Sequence, residues 1–412
     1  MNGSRRLPLT IVAVRHLFAA ATAAVLLAAG PAGAQTPSGP PLRIGGTLAL
    51  TGPLGATGLV HKIANEIAVE QINRRGGLLG RPVEYIVRDD QSKPEVTRTM
   101  YEQLITVDKV DLLWSPYATA ANLSAMSVAQ RYSKLLLPST FGLPRLAKYD
   151  MQFSTSGSAY DIENVWPNLV FNAVGSAPKP PRTVAFVTSK FPVAHFVTAG
   201  AREVVKKHGV KEVLYLDWDF GNRDFGPIAA RIKEAQADFV WVGALGLEGN
   251  LLIDAMKKLD YTPPIHFYML PAPGPMAKSP DAKNVLALTV FEEHAPFLNN
   301  AAAMEFVKAF HERGAKAGLP DTAVELQAAV AYATWQVLEA AVKAAGSLDE
   351  KTIAQWLKKN RVDAITGQLR WDGTNNFMAG TDLYKVKQLQ GGKWTVIWPR
   401  EFAAPNARLI AP

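Results

Sequence analysis

Residues 68–97 read AVEQINRRGGLLGRPVEYIVRDDQSKPEVT, and the reading of this stretch decides the fold. Its first part continues a helix and stops at Gly76 and Gly77, where positive φ costs little. Gly80 turns the chain, PVEYIVRD alternates as a strand, and Pro94 takes the first position of a second helix, where a missing N–H is no loss. Taken by itself, this helix–turn–strand–helix connection makes Asp89 and Asp90 turn and cap residues.

The same alternation runs outward in both directions. RIGGTLAL (43–50) reads as a strand, and 59–74 as a helix with Ile63, Ile67 and Ile72 near one face. VDLLW reads as a buried strand, 119–132 as a helix, and KLLLP as a strand again. A second series follows: helix 160–173, strand TVAFVTS (183–189), helix 195–208, strand EVLYLD, helix 226–235, strand DFVWVG, helix 248–259 and strand IHFYML. Alternating strands and helices imply parallel strands joined by right-handed crossovers. Two α/β units therefore follow one another, each with its own sheet. Beyond 270 the proline-rich PAPGPMAKSP reads as a loop and LALTV as a strand. Helices 301–317, 322–345 and 349–360 come next, then strands separated by glycine- and asparagine-rich turns.

Length and composition agree with this organisation. The chain has 412 residues, 48% hydrophobic and 19% charged, which suits a soluble protein of two domains. Residues 1–34 carry Arg5, Arg6 and Arg15 and no acid, then an alanine- and leucine-rich run, then Ala32-Gly33-Ala34. This is the pattern of a cleaved export signal, with a mature chain beginning near Gln35. Ser4-Arg5-Arg6 hints at the twin-arginine route, but Pro8 stands where that route prefers an aromatic residue, which favours ordinary secretion. No later apolar run approaches the roughly 18 residues of a membrane span. The absence of cysteine excludes disulfides, thiolate metal sites and lipid attachment through an N-terminal cysteine. The formal charge is +8, and without the three signal arginines 41 basic residues stand against 36 acidic ones. The basic pairs Arg74-Arg75, Lys206-Lys207, Lys257-Lys258 and Lys358-Lys359 lie at or near helix ends, where they suit the helix dipole, so no nucleic-acid face is expected.

The string INxxGGxLGRxVExxxxDDxxxP, following LTGPLGATG, resembles the branched-chain amino acid (Leu/Ile/Val) type of periplasmic solute-binding protein that serves ABC importers. SPYATA resembles that family's GPxSSA loop, DFVWVGALGLEG its strand–loop–helix in the second lobe, and VDAITGQLRWDGTNN its closing segment. The likeness covers about 43–400. It implies the type I periplasmic binding protein fold: two Rossmann-like α/β lobes with parallel central sheets, joined by a three-segment hinge that closes on a solute. Matched by position, the crossings fall near 154–157, 269–273 and 366–371. Lobe one is then 42–154 plus 272–366, and lobe two 155–271 plus 367–412. The implied partners are a small polar organic solute (amino acid, amide or aromatic acid) and, transiently, an ABC permease in the inner membrane. The implied state is a periplasmic monomer without cofactor or metal. A receptor of the same fold that signals to a protein partner is the alternative.

In open parallel sheets ligands gather beyond the carboxyl ends of strands, where loops lead into helix N-termini. LLWSPYATAAN is such a place. The resemblance gives Thr119 the role of the hydroxyl that meets a ligand carboxylate, with Ala118 in place of the family's first hydroxyl; the plainer reading is that Thr119 caps its own helix. Ser139 and Thr140 suit the next loop's contact with the ligand's polar groups, and Phe141 replaces a frequent threonine, unless it simply packs between the lobes. Glu248 stands where the family has an acid for the ligand's ammonium, although a first-turn acid also suits the helix dipole. After TVAFVTS the relatives' acid and Tyr-Gly or Phe-Gly are replaced by SKFPVAHF, which leaves Phe191 to supply a ring. Thr57, Trp114, Tyr117 and Tyr160 complete the candidate set and point to an aromatic or otherwise non-standard small solute.

The chain has no G-x-x-x-x-G-K-[ST], H-E-x-x-H or G-x-S-x-G, and glycines 52, 55 and 58 do not have dinucleotide spacing. DWDFGNRD lacks the carboxylate spacing of a calcium loop, and Asp224 reads as the N-cap of the next helix. An α/β enzyme is thus the weaker rival.

Overall fold

The computed structural model describes residues 36–380 and 382–411, together with Met1 and Gly3. The export signal read in 1–34 otherwise lies outside the described residues. Lobe one is built on β1 (Leu42–Leu48), flanked in parallel by β2 (Val83–Asp89) and β3 (Leu112–Leu113). Helices α1 (Gly55–Arg74) and α2 (Pro94–Thr106) make the connections, and α3 (Thr119–Arg131) follows β3. In the opening stretch, Gly76 and Gly77 take φ of 96° and 71° after α1, and Pro94 opens α2. Asp89 and Asp90 are turn residues: Asp89 Oδ1 accepts from the Leu50, Thr51 and Gln91 amides, and Asp90 Oδ1 from that of Ser92. KLLLP forms no strand. Only Leu136 bridges, to Gln152, because Pro138 has no N–H to extend a ladder.

Lobe two alternates α4 (Ile162–Gly175), β4 (Thr183–Ser189), α5 (Pro192–Val204), β5 (Lys211–Trp218), α6 (Gly226–Ala235), β6 (Phe239–Gly246), α7 (Glu248–Lys258) and β7 (Ile265–Pro271). β6 is buried along its whole length, as expected of a parallel strand covered by helices on both faces. Ahead of α6, Asp224 does not occupy the cap position, which falls to Phe225, but its carboxylate accepts the Gly226 amide at 3.0 Å. The segment read as a loop holds one helical turn, α8 (Pro275–Lys278), before β8 (Leu286–Thr289). The chain then supplies α9 (Ala301–Lys316) and α10 (Leu326–Ala345), which pack on α1. After these come α11 (Glu350–Leu357) and the hairpin β9 (Arg361–Ala364) and β10 (Gly367–Arg370). β11 (Lys385–Gln390) and β12 (Lys393–Trp398) end the fold in a sheet ordered β12-β11-β8-β7-β6-β4-β5, parallel from β8 to β5 with an antiparallel edge. No helix among the described residues is long and apolar enough to cross a membrane.

Two of the expected crossings move. β8 pairs with β7 and β11, so it belongs to the lobe-two sheet, and the second crossing lies between Thr289 and Ala301 instead of at 269–273. Residues 371–377 still lean on lobe one: Trp371 Nε1 donates to Ser154 O at 2.7 Å, and Asn376 Nδ2 to Gln152 O at 2.9 Å. The third crossing therefore runs from Met378, bridged to Ala159, to Tyr384, instead of 366–371.

Candidate functional site

Residues at the strand ends of both lobes meet around one cavity of about 410 Å³ of non-atom space, part of it continuous with solvent. Lobe one contributes Tyr117, Ala118 and Thr119 from the start of α3, Thr140, Phe141 and Gly142 from the next loop, and Leu326 and Gln327 from the start of α10. Trp166 of α4, Val193 of α5, Leu245 and Leu270 at the ends of β6 and β7, and Tyr384 complete the wall. Every one of these side chains is uncharged.

The start of α3 is the polar end. Its N-cap is Ala118, which has no oxygen to offer, and no side chain caps the helix. Thr119 does not cap it either: its hydroxyl accepts the Gly142 amide at 3.0 Å. The Ala118 amide donates to Thr140 Oγ1 at 3.0 Å, and Asn122 Nδ2 donates to the carbonyls of Pro116, Ala118 and Thr140 at 2.9–3.0 Å. The two loops are stitched together before any guest arrives, which fixes the helix end and two hydroxyls in place. A Cβ at Gly142 would lie 2.1 Å from Val193 Cγ2, so glycine is required for the lobes to meet here.

The walls are held from behind. The Thr57 hydroxyl sits against the Tyr117 phenol, whose pKa burial pushes up to about 12, and the ring of His61, one helical turn on, lies 4.9 Å from the Tyr117 ring. Trp166 packs on Tyr384 at 4.4 Å and donates its indole N–H to Asp382 at 2.7 Å. Burial raises the Asp382 carboxyl to about 6, against the pull of the Tyr384 amide and the indole.

Of the ten candidates read from sequence, Tyr117, Thr119, Thr140 and Phe141 line the cavity. The other six are not among its lining residues. Thr57 stands behind Tyr117. Trp114 stacks on Trp335 at 3.8 Å inside lobe one. Ser139 is buried, with its amide on Ser115 Oγ at 3.4 Å. Tyr160 lies under the Arg145 guanidinium, 5.6 Å from it, and Phe191 packs on Phe220 while Val193 takes the wall. Glu248 turns into lobe two, where its Oε1 accepts from Trp218 Nε1 at 3.0 Å, Gly221 N at 3.1 Å and Ser189 Oγ at 3.4 Å. Burial raises its pKa in spite of these donors. Sequence reasoning missed Trp166, Val193, Leu245, Leu270, Leu326, Gln327 and Tyr384. Only Leu270 carried a signal, as the last residue of the predicted strand IHFYML; Leu245 lies two residues beyond DFVWVG.

Two α/β lobes, three crossings and a cavity at their facing strand ends define a receptor that holds a small molecule between its halves. The chain belongs to the periplasmic binding protein family, whose family model matches residues 41–393. It is 23% identical over 366 residues to the Leu/Ile/Val-binding protein homolog 1 of Brucella abortus, covering 86% of this chain and 92% of that protein. Its fold resembles LivJ of Streptococcus pneumoniae, solved with isoleucine: TM-score 0.73, 18% identity, 87% of this chain and 100% of that one. It also resembles an ABC-transporter solute-binding protein of R. palustris solved with benzoate: TM-score 0.73, 17% identity, 90% of this chain and 99% of that one. The protein is an extracytoplasmic solute-binding component of the ABC-importer type, not an enzyme, and its partners are a small organic ligand and a membrane permease.

Proposed function

We propose that the chain captures a small carboxylic acid with an aromatic or apolar body and no ammonium group, and delivers it to an inner-membrane permease. The observation that carries this reading is the uncapped start of α3, opening on a cavity whose walls are aromatic and aliphatic and bear no charge. A carboxylate there meets the positive end of a helix and the hydroxyls of Thr119 and Thr140. An ammonium would be desolvated with no carboxylate opposite it, because neither Glu248 nor any other acid is among the residues that line the cavity. Tyr117, Phe141, Trp166 and Tyr384 enclose the body. The R. palustris protein solved with benzoate lends support to an aromatic acid, and LivJ solved with isoleucine marks the competing class. The monomeric state and removal of residues 1–34 near Ala34 belong to the same proposal.

A ligand held only by the folded form raises thermal stability. Screening benzoate, 4-hydroxybenzoate, leucine and phenylalanine by thermal shift and calorimetry tests the reading. The aromatic acids are expected to raise the melting temperature and the amino acids to leave it unchanged. Stabilisation by leucine or phenylalanine, with none by the acids, overturns it.

A further inference from the structure

We infer that Gln327, held in one orientation by His61, is a fixed hydrogen-bond donor through which the cavity demands an acceptor oxygen on its guest and rejects amino acids. The inference deepens the carboxylic-acid reading and rests on it for the guest, though not for the geometry. Gln327 lies in the first turn of α10, is buried, and lines the cavity. Among the described residues its side chain makes one hydrogen bond, from His61 Nε2 to its Oε1 at 3.0 Å. An amide oxygen can only accept, so His61 Nε2 carries the proton and the Gln327 amide nitrogen is left with both of its own.

His61 is held uncharged. It is buried on α1, its ring lies 4.9 Å from that of Tyr117, and burial outweighs the Gln327 bond to push its pKa down to about 4, which keeps it neutral. A neutral Nε2–H imidazole facing the amide fixes which end of Gln327 looks away. Beside the Thr119 and Thr140 hydroxyls, which can each donate to a guest, the Gln327 N–H₂ adds a group that can only donate. A guest oxygen pairs with it. An ammonium would leave N–H facing N–H.

The test has two arms. Without any guest, long-range proton–nitrogen NMR of ¹⁵N-histidine protein reads the His61 tautomer, with the resonance assigned by its change in Gln327→Glu. The expected result is a neutral Nε2–H ring that does not titrate between about pH 5 and 8. An Nδ1–H ring means that Gln327 is turned with its oxygen to the cavity, and overturns the inference. With benzoate as the probe, calorimetry compares the wild type, Gln327→Met and Gln327→Glu. Loss of the donor is expected to weaken binding roughly tenfold and its replacement by a charged acceptor by about a hundredfold. Affinity unchanged in Gln327→Glu overturns the inference. Failure of every acid to bind the wild type defeats the carboxylic-acid reading instead, and the ring spectrum still decides the orientation of Gln327.

Discussion

Ala118 holds φ 73° and ψ 157°, a region open almost only to glycine, at the lip of the cavity. Such strain costs on the order of 1–3 kcal/mol and persists where neighbours over-determine it. Here the neighbours are Thr140, which accepts the Ala118 amide, and Asn122, which donates to its carbonyl. Ala118→Gly is therefore expected to stabilise the unliganded protein by about 1 kcal/mol, the strain relief exceeding the roughly 0.5–1 kcal/mol entropic cost of glycine. Urea denaturation of the two proteins checks it, and a loss of stability would show that the backbone there is relaxed. Thr119 can be separated into its parts. Thr119→Ser keeps the hydroxyl that accepts from Gly142, whereas Thr119→Val keeps only the shape. Valine leaves a buried amide unpaired and removes a donor from the guest, so benzoate affinity is expected to fall about 5–30-fold, with serine close to wild type.

At the scale of elements, β11 brings Lys387 between two carboxylates that belong to different parts of the fold. Its ammonium bonds Glu292 at 2.7 Å, in the second crossing, and Glu325 at 2.9 Å, the N-cap residue of α10. All three are buried. Burial pushes Glu292 up to about 7, with Lys387 pulling the other way and Glu325 adding to the rise. A carboxyl whose pKa is higher folded than unfolded binds its proton more tightly in the native state. The stability it contributes is present below the unfolded value of about 4.5 and is lost as pH rises through 7. Glu292→Gln should abolish that decline between about pH 4.5 and 7 and leave a one-to-one pair of Lys387 with Glu325. Lys387→Met should cost about 3–5 kcal/mol at neutral pH, because it strands buried charge. Denaturation at several pH values checks both. The sequence made β11 and its neighbours visible as elements but not this meeting of them. TVAFVTS matches β4 residue for residue because an apolar β-branched run has little other use. LALTV was equally visible as a strand, yet nothing in the five letters says which sheet it joins. The site divides in the same way. Tyr117 and Thr119 follow the end of β3, whose direction the crossover rule fixes, and Thr140 and Phe141 follow Leu136, which bridges in parallel to Gln152 without forming a strand. Gln327 and Tyr384 arrive from a helix start and a crossing with no local motif, and alternation at a two-residue strand leaves the facing of Trp114 undecided.

For the whole molecule, function requires that the lobes meet and part, and two contacts beside the cavity govern the meeting. Arg145, in the loop that follows Gly142, pairs with Glu163 in the first turn of α4, its Nε 2.9 Å from Glu163 Oε1. The arginine side chain is half exposed and the glutamate nearly buried, with its second oxygen unpartnered among the described residues. Such a pair is worth about 0.2–1 kcal/mol, so Arg145→Gln should weaken guest binding by no more than about fivefold, chiefly through faster dissociation. The difference should shrink as salt rises, because half of the pair is in water. Gly142 is the firmer constraint. Alanine there places its Cβ 2.1 Å from Val193 Cγ2, and a β-branched side chain on a helix strongly prefers one rotamer, so retreat is costly. The clash exists only when the lobes meet, so it acts on closure and not on the fold of either lobe. Overpacking of this kind costs about 1–3 kcal/mol, which converts to roughly a 5–150-fold loss of benzoate affinity in Gly142→Ala, with the unliganded melting temperature little changed. Val193→Ala in the same chain removes the obstructing methyl groups and should restore much of that loss, although Val193→Ala alone weakens binding by taking apolar surface from the wall. Calorimetry on the four proteins of this cycle reads the coupling directly. Additive losses would mean that Gly142 and Val193 do not touch when the guest is held.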